Sequence, residues 1–381
     1  MLNPSSLYGV GNIGSSGFGL YVHVPFCVKK CSYCAFNVSH NGLHLQGDYF
    51  KALKAEVLHY LTNGPFELHG AGFDTIYFGG GTPSLVDPLL IADFLASTPH
   101  ADDAEVSIEV NPESVRKELF ASYVDSGITR VSIGVQSFDD KVLQYYGRTH
   151  DMAGAERAIE LAVRTEGLAV GIDLVYGSDV EDDKSWSKTV SKATSLAKGI
   201  SHVSAYALGI EQRTKLHYDK AQSQSEDILS ERYLMASEAF EGCGLQNYEI
   251  SNWARPDGRS RHNLNYWRWG DYLGVGLGAH SHFGRSRWWN GPSLKGYLAD
   301  VQIKGTGFLA GEELTDTQVE AERLMLALRI QGGLSEKELR SWVSRVDGED
   351  LLGLFEVADG RASLKPRGRL VADGVFRALS I

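Results

Sequence analysis

The sequence predicts an α/β fold: a partial (β/α)6 barrel followed by a smaller, winged-helix-like α+β domain. Three observations carry this expectation. Short β-branched apolar runs alternate with stretches of helical spacing, which is the pattern of parallel βαβ units. The unusual polar and glycine-rich chemistry follows those runs, where the C-terminal ends of the strands would form one rim. Residues 315–381 then change to helix, helix, strand pair, helix.

Residues 1–18 are Gly/Ser-rich without apolar periodicity and read as a loose arm. Its "GVGNIG" at Gly9 to Gly14 matches a dinucleotide fingerprint only formally, because no strand precedes it and no helix pattern follows. Strands are expected at 20–25, 74–78, 105–110, 130–135, 169–175 and 202–208, with helices at 48–61, 113–125, 151–165 and 185–198 between them. These elements define a barrel over 19–244. Residues 245–314 differ in texture: five of the seven tryptophans fall there, among histidines and glycines, and mark a separate segment of interest. In 315–381, helices are expected at 317–330, 335–345 and 366–379, around a strand pair at Asp359-Gly360. Its 11 acidic and 10 basic side chains leave that domain near neutral and favour docking or packing over DNA binding.

A chain of 381 residues that is 43% hydrophobic can bury a large core. The net charge of −11 argues against a nucleic-acid binder, which needs a basic face. No apolar run approaches the ~18 residues of a membrane span. No Lys or Arg precedes Lys29, so neither a secretory leader nor an Arg-rich transit peptide is expected. With only four cysteines, three of them clustered, a reducing cytoplasmic setting and a metal site are expected rather than disulfides.

The cluster is Cys27, Cys31 and Cys34, spaced C-x3-C-x2-C. Three thiolates suit a 4Fe-4S cube, holding three irons and leaving the fourth open. A zinc site borrowing His23 or His40, or buried free thiols, are the alternatives; zinc usually takes two cysteine pairs, which this chain lacks. Cys243, between two glycines at a helix end, reads as structural. The glycines of Gly79-Gly80-Gly81-Thr82-Pro83 would bring main chain close to a ligand. Glu109 and Asp173 place carboxylates at strand ends.

The triad resembles the signature of the radical S-adenosylmethionine superfamily. "YVHVPFC", "YFGGGTP", "IEVNPE", "RVSIGVQSF" and "GIDLVYG" resemble its oxygen-independent coproporphyrinogen III oxidase group, over roughly residues 20–375. The resemblance implies that the open iron chelates S-adenosylmethionine. It also implies that Tyr21, Tyr33, Gly80, Gly81, Thr82, Glu109, Gln136, Arg148 and Asp173 line the cofactor's site. Within the group, "RHNLNYW" at 261–267, with "NYEISNWA" before it and "GVGLGAHSH" after it, resembles the HemW heme chaperone branch through its HNxxYW motif. The oxidase branch carries a longer N-terminal extension and a fourth cysteine two residues past the triad; here Ala35-Phe36 follows. Ala35 also departs from the Asp usual in the chaperone branch.

A porphyrin wants aromatic faces, a cation or amide for its propionates, and an axial imidazole or thiolate. His262, Asn263, Tyr266 and Trp267 supply these types, with Trp269, His280 and His282 nearby, and His262 is the first candidate for the iron. The resemblance thus implies a protein that binds a 4Fe-4S cluster, S-adenosylmethionine and heme, and delivers heme to apo hemoproteins or respiratory-chain enzymes, with no catalytic residue assigned. It further implies an electron donor such as flavodoxin or ferredoxin, and is compatible with homodimerisation and with peripheral membrane association through partners. The competing readings are coproporphyrinogen III oxidation to protoporphyrinogen IX, and electron transfer alone.

Overall fold

The computed structural model describes residues 17–64, 72–346 and 348–379. The glycine motif at Gly9 to Gly14 lies outside the described residues.

The chain enters at β1 (Gly19–Val24) and alternates through α1 (Gln46–Asn63), β2 (Phe73–Gly80), α2 (Pro88–Ser97), β3 (His100–Val110), α3 (Leu119–Asp125) and β4 (Arg130–Gln136). Two helices, α4 (Asp140–Tyr145) and α5 (Met152–Val163), lead to β5 (Ala169–Tyr176), and α6 (Asp183–Ser195) leads to β6 (His202–Ala207). The six strands pair in sequence order and all in parallel. Leu20, Val22, Ile76, Phe78, Ile108, Ile133, Ile172 and Val203 are wholly buried, as strands covered on both faces require. The returning helices start on aspartates: Asp87, Asp139, Asp151 and Asp182 each accept a backbone N–H of the first turn. Each such cap stabilises its helix by about 1 kcal/mol.

Two expected helices differ in extent. The stretch 113–125 is helical only from Leu119, because Pro112 opens a short 3-10 turn in which the Ser114 hydroxyl bonds Asn111 O and Ser84 Oγ. The stretch 366–379 divides at Val371 into two helices, where Gly368 and Gly374 weaken helical propensity.

After β6 come α7 (Lys215–Tyr218) and α8 (Glu226–Gly242), then β7 (Gln246–Glu249) and β8 (Asn252–Ala254), which add an antiparallel edge beside β6. Helix α9 (Arg261–Trp267) crosses to the opposite edge, where β9 (Tyr272–Val275) pairs in parallel with β1. Strands β10 (His280–Phe283) and β11 (Ser286–Asn290), helix α10 (Leu294–Lys304) and strand β12 (Phe308–Glu313) follow, and the three strands continue that edge antiparallel. The described strands of this sheet number twelve. The aromatic segment is therefore woven into both edges of the same sheet.

The small C-terminal domain runs α11 (Asp316–Arg329), β13 (Leu334–Ser335), α12 (Glu336–Arg345), β14 (Phe355–Ala358), β15 (Arg361–Leu364), α13 (Pro366–Leu370) and α14 (Ala372–Leu379). Its antiparallel sheet has the order β13-β15-β14, and Leu328, Leu339, Val343, Phe355, Leu364 and Leu379 form its own core. Both long helices begin with capping boxes, at Thr315/Gln318 and Ser335/Glu338. No helix among the described residues is long and apolar enough to cross a membrane.

Candidate functional site

The C-terminal ends of β2 to β6 and the cysteine loop after β1 enclose a cavity of about 680 Å3. The turn after β2 shapes its wall. Gly81 N–H donates to Val24 O and Thr82 N–H to Phe26 O, both at 2.8 Å, extending the β1–β2 pairing up to Cys27. A side chain at Gly81 would meet the Pro25 carbonyl carbon at 2.7 Å, and Gly80 holds φ +111°, so this close approach demands glycine.

Around the cysteines runs a chain of polar contacts. Cys27 Sγ lies 3.5 Å from Thr82 Oγ1; Thr82 Oγ1 accepts from Asn111 Nδ2 at 3.0 Å; Asn111 Oδ1 accepts from Arg148 Nη2 at 2.8 Å. Arg148 Nη1 then donates to Cys31 Sγ at 3.3 Å. Arg148 is also fixed by Gly134 O at 3.0 Å and by the Glu113 carboxylate at 3.7 Å. His150 and Arg148 beside Glu113 hold its carboxyl down at about 2, against the effect of its burial. Burial pushes the Cys27 thiol up to about 11, with Thr82 pulling the other way, and raises Cys34 too. Bound iron would hold these sulfurs as thiolates. The three thiols that line this cavity come from one short loop and suit three corners of a 4Fe-4S cube, whereas a structural zinc takes four protein ligands.

Two carboxylates face the cavity from the strands. Glu109 accepts from Tyr77 O–H and from Gly80 N–H, each at 3.0 Å. Burial, reinforced by the nearby Asp173, raises its pKa to about 7 despite the Gly80 and Tyr77 donors. Asp173 accepts from the hydroxyls of Ser132 at 2.8 Å and Ser204 at 2.7 Å, and burial raises it as well. Gln136 ends β4 in the left-handed region, φ +67°, a strained place for a side chain with a Cβ.

A second cavity, of about 600 Å3, opens between β1, the α9–β10 segment and α11. Tyr21, His23, Tyr266, Trp267, Trp269, Tyr272, His280, His282 and Arg287 line it, and Ala35 and Phe36 form a wall common to both cavities. Ser260 caps α9, and Glu105 on β3 accepts the His262 N–H at 3.1 Å while pairing with Arg130 on β4 at the same distance. His262 is buried and has both ring nitrogens engaged: Nδ1 with Thr75 Oγ1 at 2.8 Å, Nε2 with Tyr266 Oη at 2.7 Å. Its ring stacks on Tyr77 at 5.2 Å, and burial lowers its pKa to about 3, so it stays neutral.

Of the residues expected to hold S-adenosylmethionine, Tyr33, Gly80, Gly81, Thr82, Glu109, Gln136, Arg148 and Asp173 line the first cavity with the three cysteines. Tyr21 lines the second cavity instead, its hydroxyl 3.1 Å from His23 Nδ1. Of the four heme candidates, Tyr266 and Trp267 line the second cavity; His262 and Asn263 do not. Sequence reasoning missed Asn111, which bridges Thr82 and Arg148, and the Ser132 and Ser204 hydroxyls on Asp173. Asn111 directly follows β3, which hinted at it, but Ser132 and Ser204 lie inside β4 and β6 and nothing in the sequence marked them.

Residues 21–193 match the Radical SAM superfamily. The chain is 36% identical over 398 aligned positions to the heme chaperone HemW of Mycobacterium tuberculosis, covering 99% of this chain and 98% of that one. It is 37% identical to the HemW of Escherichia coli over 68% of its length and 69% of the relative's. It is 31% identical to the mitochondrial radical S-adenosyl methionine domain-containing protein 1 of Bos taurus, over 94% and 83%. In fold it is similar to coproporphyrinogen III oxidase (HemN) of Escherichia coli, with TM-score 0.78 at 23% identity, covering 96% of this chain and 90% of that one. The chain belongs to the radical SAM superfamily, in the HemN-like group that contains the HemW heme chaperones.

Proposed function

We propose that this protein is a heme chaperone that holds a 4Fe-4S cluster on Cys27, Cys31 and Cys34, binds S-adenosylmethionine beside it, and delivers heme to apo hemoproteins such as respiratory-chain enzymes. The observation that carries this reading is the pair of cavities that share the Ala35–Phe36 wall but differ in chemistry. One offers thiols, carboxylates and glycine main chain; the other offers aromatic faces and imidazoles.

When bound, the cluster supplies an open iron and a low-potential electron. The chain's own groups do the positioning. Arg148 fixes Cys31 and, through Asn111 and Thr82, Cys27. Gly80 and Gly81 expose main chain to the ligand's amino group, and Glu109 and Asp173 accept from its polar hydrogens. In the second cavity, Tyr266 and Trp267 face the porphyrin, and His262 holds Tyr266 from behind. Lys29 and Lys30 are exposed on the cysteine loop and suit an acidic electron donor of the flavodoxin or ferredoxin kind.

Anaerobic reconstitution with iron and sulfide tests the first cavity: wild type should gain visible cluster absorbance, and Cys27→Ala should abolish it. Heme titration tests the second. Binding should saturate at one equivalent, and the loaded protein should pass heme to an apo hemoprotein faster than free heme enters it. Absorbance unaffected by Cys27→Ala, or heme that never transfers, would sink the reading.

A further inference from the structure

Building on the heme reading of the second cavity, we infer that His282, rather than the histidine of the HNxxYW motif, supplies the axial nitrogen to the heme iron. An axial imidazole needs one nitrogen held by a protein acceptor and the other bare, facing the ligand. Four histidines lie in or behind this cavity, and only one is both buried and so arranged.

His262 spends both nitrogens on Thr75 and Tyr266 and does not line the cavity. His23 lines it, but Nδ1 meets Tyr21 Oη at 3.1 Å and Nε2 meets Asn37 O at 2.8 Å. His280 is exposed at the rim, stacked on Trp289 at 5.7 Å. His282 lines the cavity at 7% exposure. Its Nδ1 faces Gly270 O at 3.4 Å and Asp271 Oδ1 at 3.7 Å. A carbonyl oxygen only accepts, so Nδ1 carries the proton and Nε2 keeps its lone pair. That Nε2 is buried without a hydrogen-bond partner.

A bare buried imidazole nitrogen has lost its water without gaining a partner, a cost that a metal bond would offset. The setting keeps the ring neutral, as ligation requires: burial lowers the His282 pKa against the Gly270 and Gly284 carbonyls, and Arg287 adds to the lowering. Trp269 meets the ring edge-to-face at 4.6 Å, and Tyr272 lies at 6.0 Å, so orientation is fixed before the ligand arrives. A second orphan sits in the same lining: the Trp267 indole N–H is buried without a partner and offers a donor to a propionate. The volume lies within the ~300–1,000 Å3 range of pockets for cofactor-sized ligands.

The test is heme titration followed by absorption and electron paramagnetic resonance. Wild type should show an axial-nitrogen spectrum. His282→Ala should lose it and weaken heme binding by at least about tenfold, the scale seen when a ligand's support is removed; added imidazole should restore the spectrum. His282→Cys should shift the Soret band to that of a thiolate complex. His262→Gln and His280→Ala should keep the wild-type spectrum. An unchanged spectrum in both His282→Ala and His282→Cys, or its loss in His262→Gln with melting temperature preserved, would overturn the assignment while leaving the chaperone reading intact. No heme binding by wild type would remove that reading and the ligand together.

Discussion

Glu109 is a buried carboxyl whose ionisation costs the folded state stability. The folded carboxyl holds its proton up to about pH 7, while the unfolded one loses it near the ordinary 4.5. The folded state therefore binds more protons between those values, and its advantage, complete below the unfolded pKa, is lost as pH rises through the folded one. The shift bounds that loss at about 3 kcal/mol. Glu109→Gln should leave the ligand-free protein more stable than wild type at pH 8, by ~1–3 kcal/mol, and nearly equal to it at pH 4, below the unfolded pKa. Thermal melts at the two pH values check this; an equal difference at both would contradict it. S-adenosylmethionine affinity should fall in the same variant. Arg148 makes a second case. Hydrogen bonds to cluster sulfur raise its reduction potential, so Arg148→Met should lower the midpoint potential of the reconstituted cluster. It also removes the more distant of Glu113's two partners while His150 stays at 3.1 Å, and for a partly exposed carboxylate that loss costs about 1 kcal/mol. Side-chain types at this scale were legible: the cysteines, the glycine turn and both carboxylates stand in one cavity. Their partners were not, because a hydrogen bond such as Asn111–Arg148 joins residues thirty-seven apart and follows from the fold alone.

The elements were the most legible level. Six expected strands match β1 to β6 closely, since β-branched runs between turn residues leave little freedom of assignment. Helix limits failed where local bonds outbid periodicity, as at Ser114, and where glycines weaken the helix, as around Val371. The positive φ of Gln136 could not be read at all, since nothing in its residue type requires it. The glycine turn is the element on which the cysteine loop depends. Gly81→Ala drives a Cβ into the Pro25 main chain, which cannot yield without breaking the Val24 and Phe26 pairings. We expect it to lower stability by ~2–4 kcal/mol, as overpacking and lost strand pairing do. Cluster absorbance after reconstitution should fall to a minor fraction of wild type. Full absorbance would show that the turn does not position Cys27.

The whole molecule joins pieces that sequence reading kept apart. The aromatic stretch supplies strands to both edges of the sheet, a pairing across nearly the full chain that no local pattern announces. The HNxxYW helix connects the cavities: His262 stacks on Tyr77, which holds Glu109, and binds Tyr266, which faces the aromatic cavity. The C-terminal domain closes that cavity through α11. Glu322 and Leu326 line it, Arg329 lies over the Trp267 ring at 4.6 Å, and its guanidinium pairs with buried Glu249 at 3.7 Å. Arg329→Ala should therefore weaken heme binding several-fold and cost ~1–3 kcal/mol, the pair being partly exposed, while leaving cluster absorbance unchanged. The role proposed for the second cavity is to carry heme rather than to transform a porphyrinogen. It is tested by giving the anaerobically reconstituted protein, with S-adenosylmethionine and a reductant, coproporphyrinogen III in one vessel and heme in another. Stoichiometric heme binding with no protoporphyrinogen IX is expected; catalytic formation of protoporphyrinogen IX would rule that role out.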